Sequence, residues 1–181
     1  MKKIIFSSLL MISLLFILGA CSSADKHFLK DKEYREQVHQ QFIKRKDLAT
    51  GRSEQLFSVL DKQDLTLEQR EALEFLYAYM PLSDLADYDA DFFLGQVDAA
   101  FKARDYFDWG KKIPDDIFRH FVLVYRVNNE NLDTARQVFF DELKDRVKGM
   151  TMEKAVLEVN HWCHEKVTYR GTDGRTSAPL A

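Results

Sequence analysis

The chain has 181 residues, of which 46% are hydrophobic, and its formal net charge is −3. This length is sufficient for one domain with its own hydrophobic core. The 26 basic and 29 acidic residues are interspersed, and the lack of a basic stripe or tail argues against nucleic acid as a partner.

The first twenty residues have the organisation of a secretory signal. Lys2 and Lys3 precede an apolar run over residues 4–17, which is too short to cross a bilayer core of ~20 helical residues but has the length of a signal core. The sequence LGAC at residues 18–21 resembles the lipobox of bacterial lipoproteins. The resemblance implies cleavage before Cys21 and a diacylglyceryl group on its sulfur. An ordinary signal peptide with an incidental cysteine is the alternative.

Cleavage before Cys21 and its lipidation would determine the net charge and the location of the mature chain. The mature chain would be exported and held in the bacterial cell envelope by lipid alone, because no later segment is long and apolar enough to span a membrane. Loss of Lys2 and Lys3 leaves 24 basic against 29 acidic residues, a net charge of −5. Residues 21–30 are expected to form a tether. Cys163 would be the remaining thiol, so no intramolecular disulfide is expected.

Helical periodicity extends over residues 31–150 and predicts a mainly α fold. It indicates helices over residues 30–46, 56–60, 67–80, 92–101, 114–124 and 132–143. Thr66 and Gln69 fit a capping box at the start of the 67–80 helix, and Pro81 would end that helix. Gly149 would end the helix that is predicted from residue 132. Short strands are plausible at residues 121–127 and 167–169. The 14 Phe and 7 Tyr mostly follow helical spacing, which favours core packing over an aromatic ligand cleft.

Two acidic clusters were considered as sites. Asp87, Asp89, Asp91 and Asp98 fall at calcium-loop positions one, three, five and twelve, but Phe92 stands where the loop requires glycine. Capping of the following helix by Asp89 or Asp91 is the favoured interpretation. Similarly, Asp115 and Asp116 after Pro114 are expected at a helix start, rather than as an acid–base pair.

The sequence HWCH at residues 161–164 falls within a helix predicted over residues 151–166, with Thr151 as its cap. Cys163 shares a stripe with Met152, Val156 and Val159 that is expected to face the core. His161 and His164 lie on a neighbouring face and need a third ligand to hold zinc, which His39 or His120 could supply only through the tertiary fold. We therefore expect neither a metal site nor a nucleophilic cysteine, and no cofactor.

The longer segment NHWCHEKVTYR, residues 160–170, resembles the lead-in of transglutaminase-like (papain-fold) domains in lipoproteins of Bacteroides-type bacteria. Residues 113–118 and 126–132 also look like segments that precede this domain, so the resemblance covers residues 113–181. It implies a helical N-terminal region over residues 31–150 and, from residue 151, the start of an α+β papain-like domain. It also implies that the intact family performs Cys-His-Asp thiol acyl transfer or amide hydrolysis.

The family's catalytic residues lie beyond the tyrosine of its V-x-Y motif, here Tyr169. The twelve residues that follow contain no Cys, His or Asn, and Asp173 is their sole carboxylate. No catalytic residue is therefore assigned. We expect the chain to be the N-terminal part of a longer protein, inactive by itself. The sheet that would cover the last helix lies mostly downstream in the family, so we expect an exposed apolar face around Met152, Val156, Val159 and Cys163. The alternative is a non-catalytic helical envelope lipoprotein that binds a glycan, a peptide or a protein partner.

Overall fold

The described part of the chain folds into helices. The computed structural model describes residues 26–48, 52–62, 64–87, 89–125 and 134–166, and within these ranges it contains no strand, which confirms the mainly α prediction. The α-helices are α1 Lys32–Leu48, α2 Arg52–Phe57, α3 Leu67–Tyr79, α4 Leu82–Asp87, α5 Ala90–Tyr106, α6 Asp115–Ile117, α7 Ala135–Leu143 and α8 Met152–Lys166. Short 3₁₀ turns occupy Ser58–Asp61 and Gly110–Lys112.

Helix α3 has the ends that the sequence predicts. The Gln69 amide donates to Thr66 Oγ1 at 3.1 Å, and the Thr66 amide donates to Gln69 Oε1 at 2.8 Å, so the capping box is confirmed. At the other end Met80 is extended (ψ 157°), as expected for a residue that precedes proline. The helix is therefore fixed at both ends by local chemistry.

The core forms where α3 packs against α1 and α5. Tyr77 of α3 is fully buried, and its ring meets Phe57 and Phe93 edge to face with centroids 5.6 and 5.8 Å apart. Phe42 of α1 stacks on Tyr77 at 6.5 Å. Such contacts add a specific geometry to the apolar area that is buried. The interpretation of these aromatic residues as core is confirmed.

The N-terminal segment before α1 belongs to the folded body, so the expectation of a tether as far as residue 30 is wrong. Phe28 and Leu29 are buried, with 4% and 1% of their surface exposed. The ring of Phe28 meets Phe101 at 5.7 Å, and the Leu29 amide donates to the buried carboxylate of Glu71 at 3.0 Å. Side chains of a solvated tether would remain exposed, so the burial of Phe28 and Leu29 shows that the folded body begins before α1.

The turn after α5 depends on Gly110. A Cβ at this position would lie 2.1 Å from the carbonyl oxygen of Arg104, so only glycine fits this close approach. The turn places the ring of Phe107 parallel to that of Trp109, with centroids 4.8 Å apart. This stacked pair forms one wall of the groove described below.

Helix α6 continues into a π-helix over Phe118–Val122, so the predicted strand at residues 121–127 is wrong in its described part. The Leu123 amide donates to the Phe118 carbonyl at 2.8 Å, which is the i to i+5 bond of a π-helix. Phe118 and Leu123 are both fully buried, so this wider turn places two apolar anchors in the core. Core packing overrides the β propensity of residues 121–125. The strand predicted at residues 167–169 lies outside the described residues.

The last two helices are joined by a turn at Gly149, which has φ 73°. Helix α7 ends at Leu143, earlier than the predicted stop at Gly149. The Ala155 amide donates to the Thr151 carbonyl at 2.9 Å, and Thr151 Oγ1 accepts from the Lys154 amide at 3.4 Å. Thr151 therefore stands at the start of α8, as predicted.

Candidate functional site: an apolar groove beside the last two helices

Helices α7 and α8 and the turn after α5 enclose a groove of about 480 Å³. The stacked rings of Phe107 and Trp109 form one side, and Phe140 lies in the wall. Other apolar side chains complete the lining: Phe139, Leu143, Val147, Ala155, Val156 and Val159. The groove is therefore a surface for apolar contact.

Helix α8 packs by a different face from the one predicted. Its buried side chains are Ala155 and Trp162, and the Trp162 ring meets Phe139 with centroids 5.3 Å apart. Met152 and Val156, expected in the core, are 45% and 61% exposed. Tryptophan has the larger area to bury, so the helix turns that side inward. The expectation of an exposed apolar face in the absence of a covering layer is confirmed at Met152 and Val156, while Val159 and Cys163 are half-buried.

Cys163 is half-buried and lines the groove, so the prediction that it faces the core is wrong. Its position at the edge of α8 follows from the burial of Trp162, because adjacent helical residues diverge by about 100°. Among the described residues, no hydrogen-bond or ion-pair partner that could activate the Cys163 sulfur is found. Its chemistry in this structure is that of an accessible thiol in an apolar wall.

The candidate metal ligands are dispersed. His161 Nε2 lies 3.1 Å from Glu165 Oε1, and His164 is exposed beyond it. His39 pairs with Glu74 at 3.1 Å, while the ring of His120 meets Phe75. Within the described ranges, no three His, Cys, Asp or Glu side chains come together in a way that would hold a metal ion.

Of the acidic residues at calcium-loop positions, Asp89, Asp91 and Asp98 serve helix α5 and its neighbours, and the side chain of Asp87 is not among those that the structure describes. Asp89 Oδ1 accepts from the Phe92 amide at 2.8 Å, which confirms the capping interpretation. Asp91 pairs with Lys62 at 3.1 Å, and Asp98 accepts from Gln69 Nε2 at 2.7 Å. The carboxylates of Asp91 and Asp98 therefore bind separate partners.

Asp115 stands in the first turn of α6, as expected, and its carboxylate is bound by two cations. Arg104 Nη2 donates to it at 2.8 Å and Lys30 Nζ at 2.6 Å. The hydrogen bond from Arg104 is the main cause that holds the pKa of Asp115 below its usual value. The neighbouring Asp116 is exposed. The two residues therefore do not form an acid–base pair in a cleft.

Lysine side chains border the aromatic part of the groove. Lys102 Nζ lies 4.9 Å above the ring of Phe140, and Lys144 Nζ lies 5.8 Å from the same ring. Each ammonium is attracted to the face of the ring by its quadrupole. The groove thus combines an apolar floor with a cationic border.

Cys21, the predicted site of lipid attachment, lies outside the described residues. Within them, no helix has the combination of length and apolarity that a membrane span requires. No family model, curated protein or solved structure matches the chain. The transglutaminase-like resemblance therefore rests on the residues that carry it.

Proposed function

We propose that this chain is the helical N-terminal region of an exported, lipid-anchored transglutaminase-like protein, and that its role is docking rather than catalysis. In this proposal α8 is the first helix of the papain-like domain. The groove beside α8 receives the polypeptide that follows it. Thiol acyl transfer or amide hydrolysis would belong to the completed domain.

The open face of α8 is the observation that carries the proposal. Val156 exposes an apolar side chain in a groove that already has apolar walls, and Met152, one turn earlier on α8, is exposed as well. Contiguous exposed apolar surface of this kind marks an interaction site. Cys163, one turn before the end of α8, also lines the groove, so the helix ends close to the groove.

Thiol accessibility tests the docking role directly. Genomic sequence beyond codon 181 would first define the longer reading frame, in which we expect a catalytic Cys, His and Asp. Cys163 in the present chain should react with a maleimide, whereas the longer product should protect it. A stop codon followed by an unrelated gene, or equal reactivity of Cys163 in both forms, would contradict the proposal.

Metabolic labelling tests the lipid anchor. Cells that express the full chain should incorporate labelled palmitate and retain the protein in the membrane fraction. Cys21→Ser should abolish both results, while the matched control Cys163→Ser should leave both unchanged. Label that persists in the Cys21→Ser variant would show that the anchor lies elsewhere.

A second candidate function is favoured by the size of the groove. Ligand pockets usually have volumes of ~300–1,000 Å³, and the groove, at about 480 Å³, falls within this range. A non-catalytic envelope lipoprotein could therefore bind a glycan, a peptide or a protein partner there. An envelope ligand should raise the melting temperature of the full chain, and Val156→Asp should remove that rise. A rise that Val156→Asp does not alter would exclude the groove as its origin.

A further inference from the structure

A second cavity, of about 290 Å³, lies where the end of α3 meets the π-helix. The rings of Phe75, Tyr79, His120 and Tyr125 line it, together with the side chain of Arg119. It shares no lining residue with the groove beside α8. What it binds can therefore be considered independently of the proposed docking role.

Arg119 contributes a guanidinium group to the lining of this cavity. The side chain is half-buried, and its Nε is shielded from solvent with no hydrogen-bond partner among the described residues. The other arginines whose side chains are described each donate to a carbonyl or carboxylate oxygen: Arg35, Arg45, Arg70, Arg104, Arg136 and Arg146. A buried Nε–H without an acceptor costs free energy, and an anionic ligand bound to this guanidinium group would offset that cost.

The backbone at Arg119 is specialised as well. Arg119 and His120 belong to the π-helix, which the bond from the Leu123 amide to the Phe118 carbonyl closes. Single π-helical turns are rare and frequently coincide with functional sites. Here Phe118 and Leu123 anchor the turn in the core while Arg119 and His120 line the cavity.

The walls of the cavity fit a ring. Phe75 lies in contact with Tyr79 and His120, with centroids 5.4 and 5.7 Å apart. Tyr79 is 51% exposed, so its ring is available for contact, and Tyr125 Oη donates to Asp84 at 2.7 Å. The Arg119 guanidinium lies 5.3 Å from the Tyr34 ring, which holds it beside these walls. At about 290 Å³ the cavity is small for a ligand pocket and suits a single ring.

We propose that this cavity binds a six-membered ring that carries one carboxylate. The carboxylate would accept hydrogen bonds from the Arg119 guanidinium, whose fork of N–H donors matches carboxylate geometry. The apolar face of the ring would lie against Tyr79 and His120. Uronic acids and aromatic acids share this chemistry.

Calorimetric titration of the full chain with small ring compounds tests the proposal. Glucuronate and benzoate are the two acid probes, and glucose and benzamide are their neutral counterparts. We expect at least one acid to bind about 10-fold more tightly than its neutral counterpart, since a hydrogen bond to a charged group is stronger than one to a neutral group. The acid that binds more tightly then identifies the ligand class as a sugar acid or an aromatic acid. Failure of both acids to bind, equal binding of the neutral rings, or equal binding of inorganic phosphate would overturn the proposal.

Substitutions locate the binding to the cavity. Arg119→Gln should weaken acid binding about 10-fold or more. It should lower the melting temperature only slightly, because no hydrogen-bond acceptor among the described residues is lost and the contact with the Tyr34 ring is the main interaction removed. Lys111→Gln removes the same charge at an exposed site outside the cavity and should bind the acid as the wild type does. Tyr79→Ala, at a half-exposed position, should also weaken binding and provides a second test if Arg119→Gln is unstable. Wild-type affinity in both cavity variants would refute the site.

Discussion

Asp115 shows how one carboxylate connects three parts of the chain. It binds Lys30 of the N-terminal segment and Arg104 of α5 while it stands in the first turn of α6. About a quarter of its side chain is exposed, so water screens both pairs. Asp115→Asn should therefore lower the free energy of unfolding at pH 7 by only about 0.5–1 kcal/mol. Urea denaturation of the full chain would measure this loss.

The same substitution should have a pH-dependent effect. The bond from Arg104 lowers the folded-state pKa of Asp115 from its usual 3.8. The stability that this carboxylate adds is thus fully present above that usual value and is lost as pH falls through the lower folded pKa. The difference between Asp115→Asn and wild type should shrink below about pH 4. Asp105→Asn, at an exposed residue 3.7 Å from Lys111, should show little difference at any pH. A deficit in Asp115→Asn that keeps its full size as the pH falls below about 4 would contradict this account.

Tyr77 presents the opposite case, a buried polar group without a partner. Its hydroxyl has no hydrogen-bond partner among the described residues, and burial raises the pKa of Tyr77. Tyr77→Phe removes the desolvated hydroxyl and keeps the ring contacts, so it should be neutral or stabilising by about 1 kcal/mol. Tyr125→Phe is the matched control, because it removes a bond to the buried Asp84 and should cost about 1–2 kcal/mol. Chemical denaturation would compare them, and a clear loss in Tyr77→Phe would disprove the inference.

At the scale of single elements, the two threonine caps differ in quality. Thr66 exchanges two hydrogen bonds with Gln69 at the start of the central helix α3. Thr151 Oγ1 accepts one long bond, 3.4 Å, at the start of the peripheral helix α8. Thr66→Ala should therefore cost about 1 kcal/mol or more, and Thr151→Ala less than about 0.5 kcal/mol. Thermal denaturation would rank them, and equal losses would contradict the distinction.

The same contrast explains which elements the sequence predicts. Helix α3 is bounded by local signals, Thr66 and Gln69 at one end and Pro81 at the other, and the structure has both. The π-helix carries no such signal, because its aromatic and β-branched residues suit a strand as well as a helix. The packing face of α8 was predicted wrongly because periodicity alone does not weigh Trp162 against the stripe through Met152. Local chemistry determines where a helix lies, and tertiary contacts determine which face it buries.

At the scale of the whole molecule, only part of the candidate sites could be predicted. The apolar stripe of α8 through Met152 and Val156 follows from helical spacing and can be recognised in the sequence, although spacing alone does not show which face the helix buries. The other wall of the groove is Phe107 and Trp109, which arrive from a distant turn and therefore leave no signal near α8. The cavity at Arg119 likewise depends on Phe75 and Tyr79, some forty residues earlier in the chain. Sites assembled from distant segments require the fold before they can be recognised.

The distribution of the core also implies unequal stability across the molecule. The main cluster of buried residues includes Leu73, Tyr77 and Phe93, while Ala155 and Trp162 of α8 lie outside it. A helix held by so few buried side chains should open without global unfolding. Native-state hydrogen exchange should therefore give a lower opening free energy for α8 amides than for α3 amides. At low denaturant concentrations, the opening free energy of α8 should also depend less on denaturant. Trp162→Ala should lower protection in α8 and leave α3 unchanged, whereas Phe93→Ala should weaken both. Equal protection of the two helices in the wild type would mean that α8 and the main core unfold as one unit, and α8 would then need no covering partner for its stability.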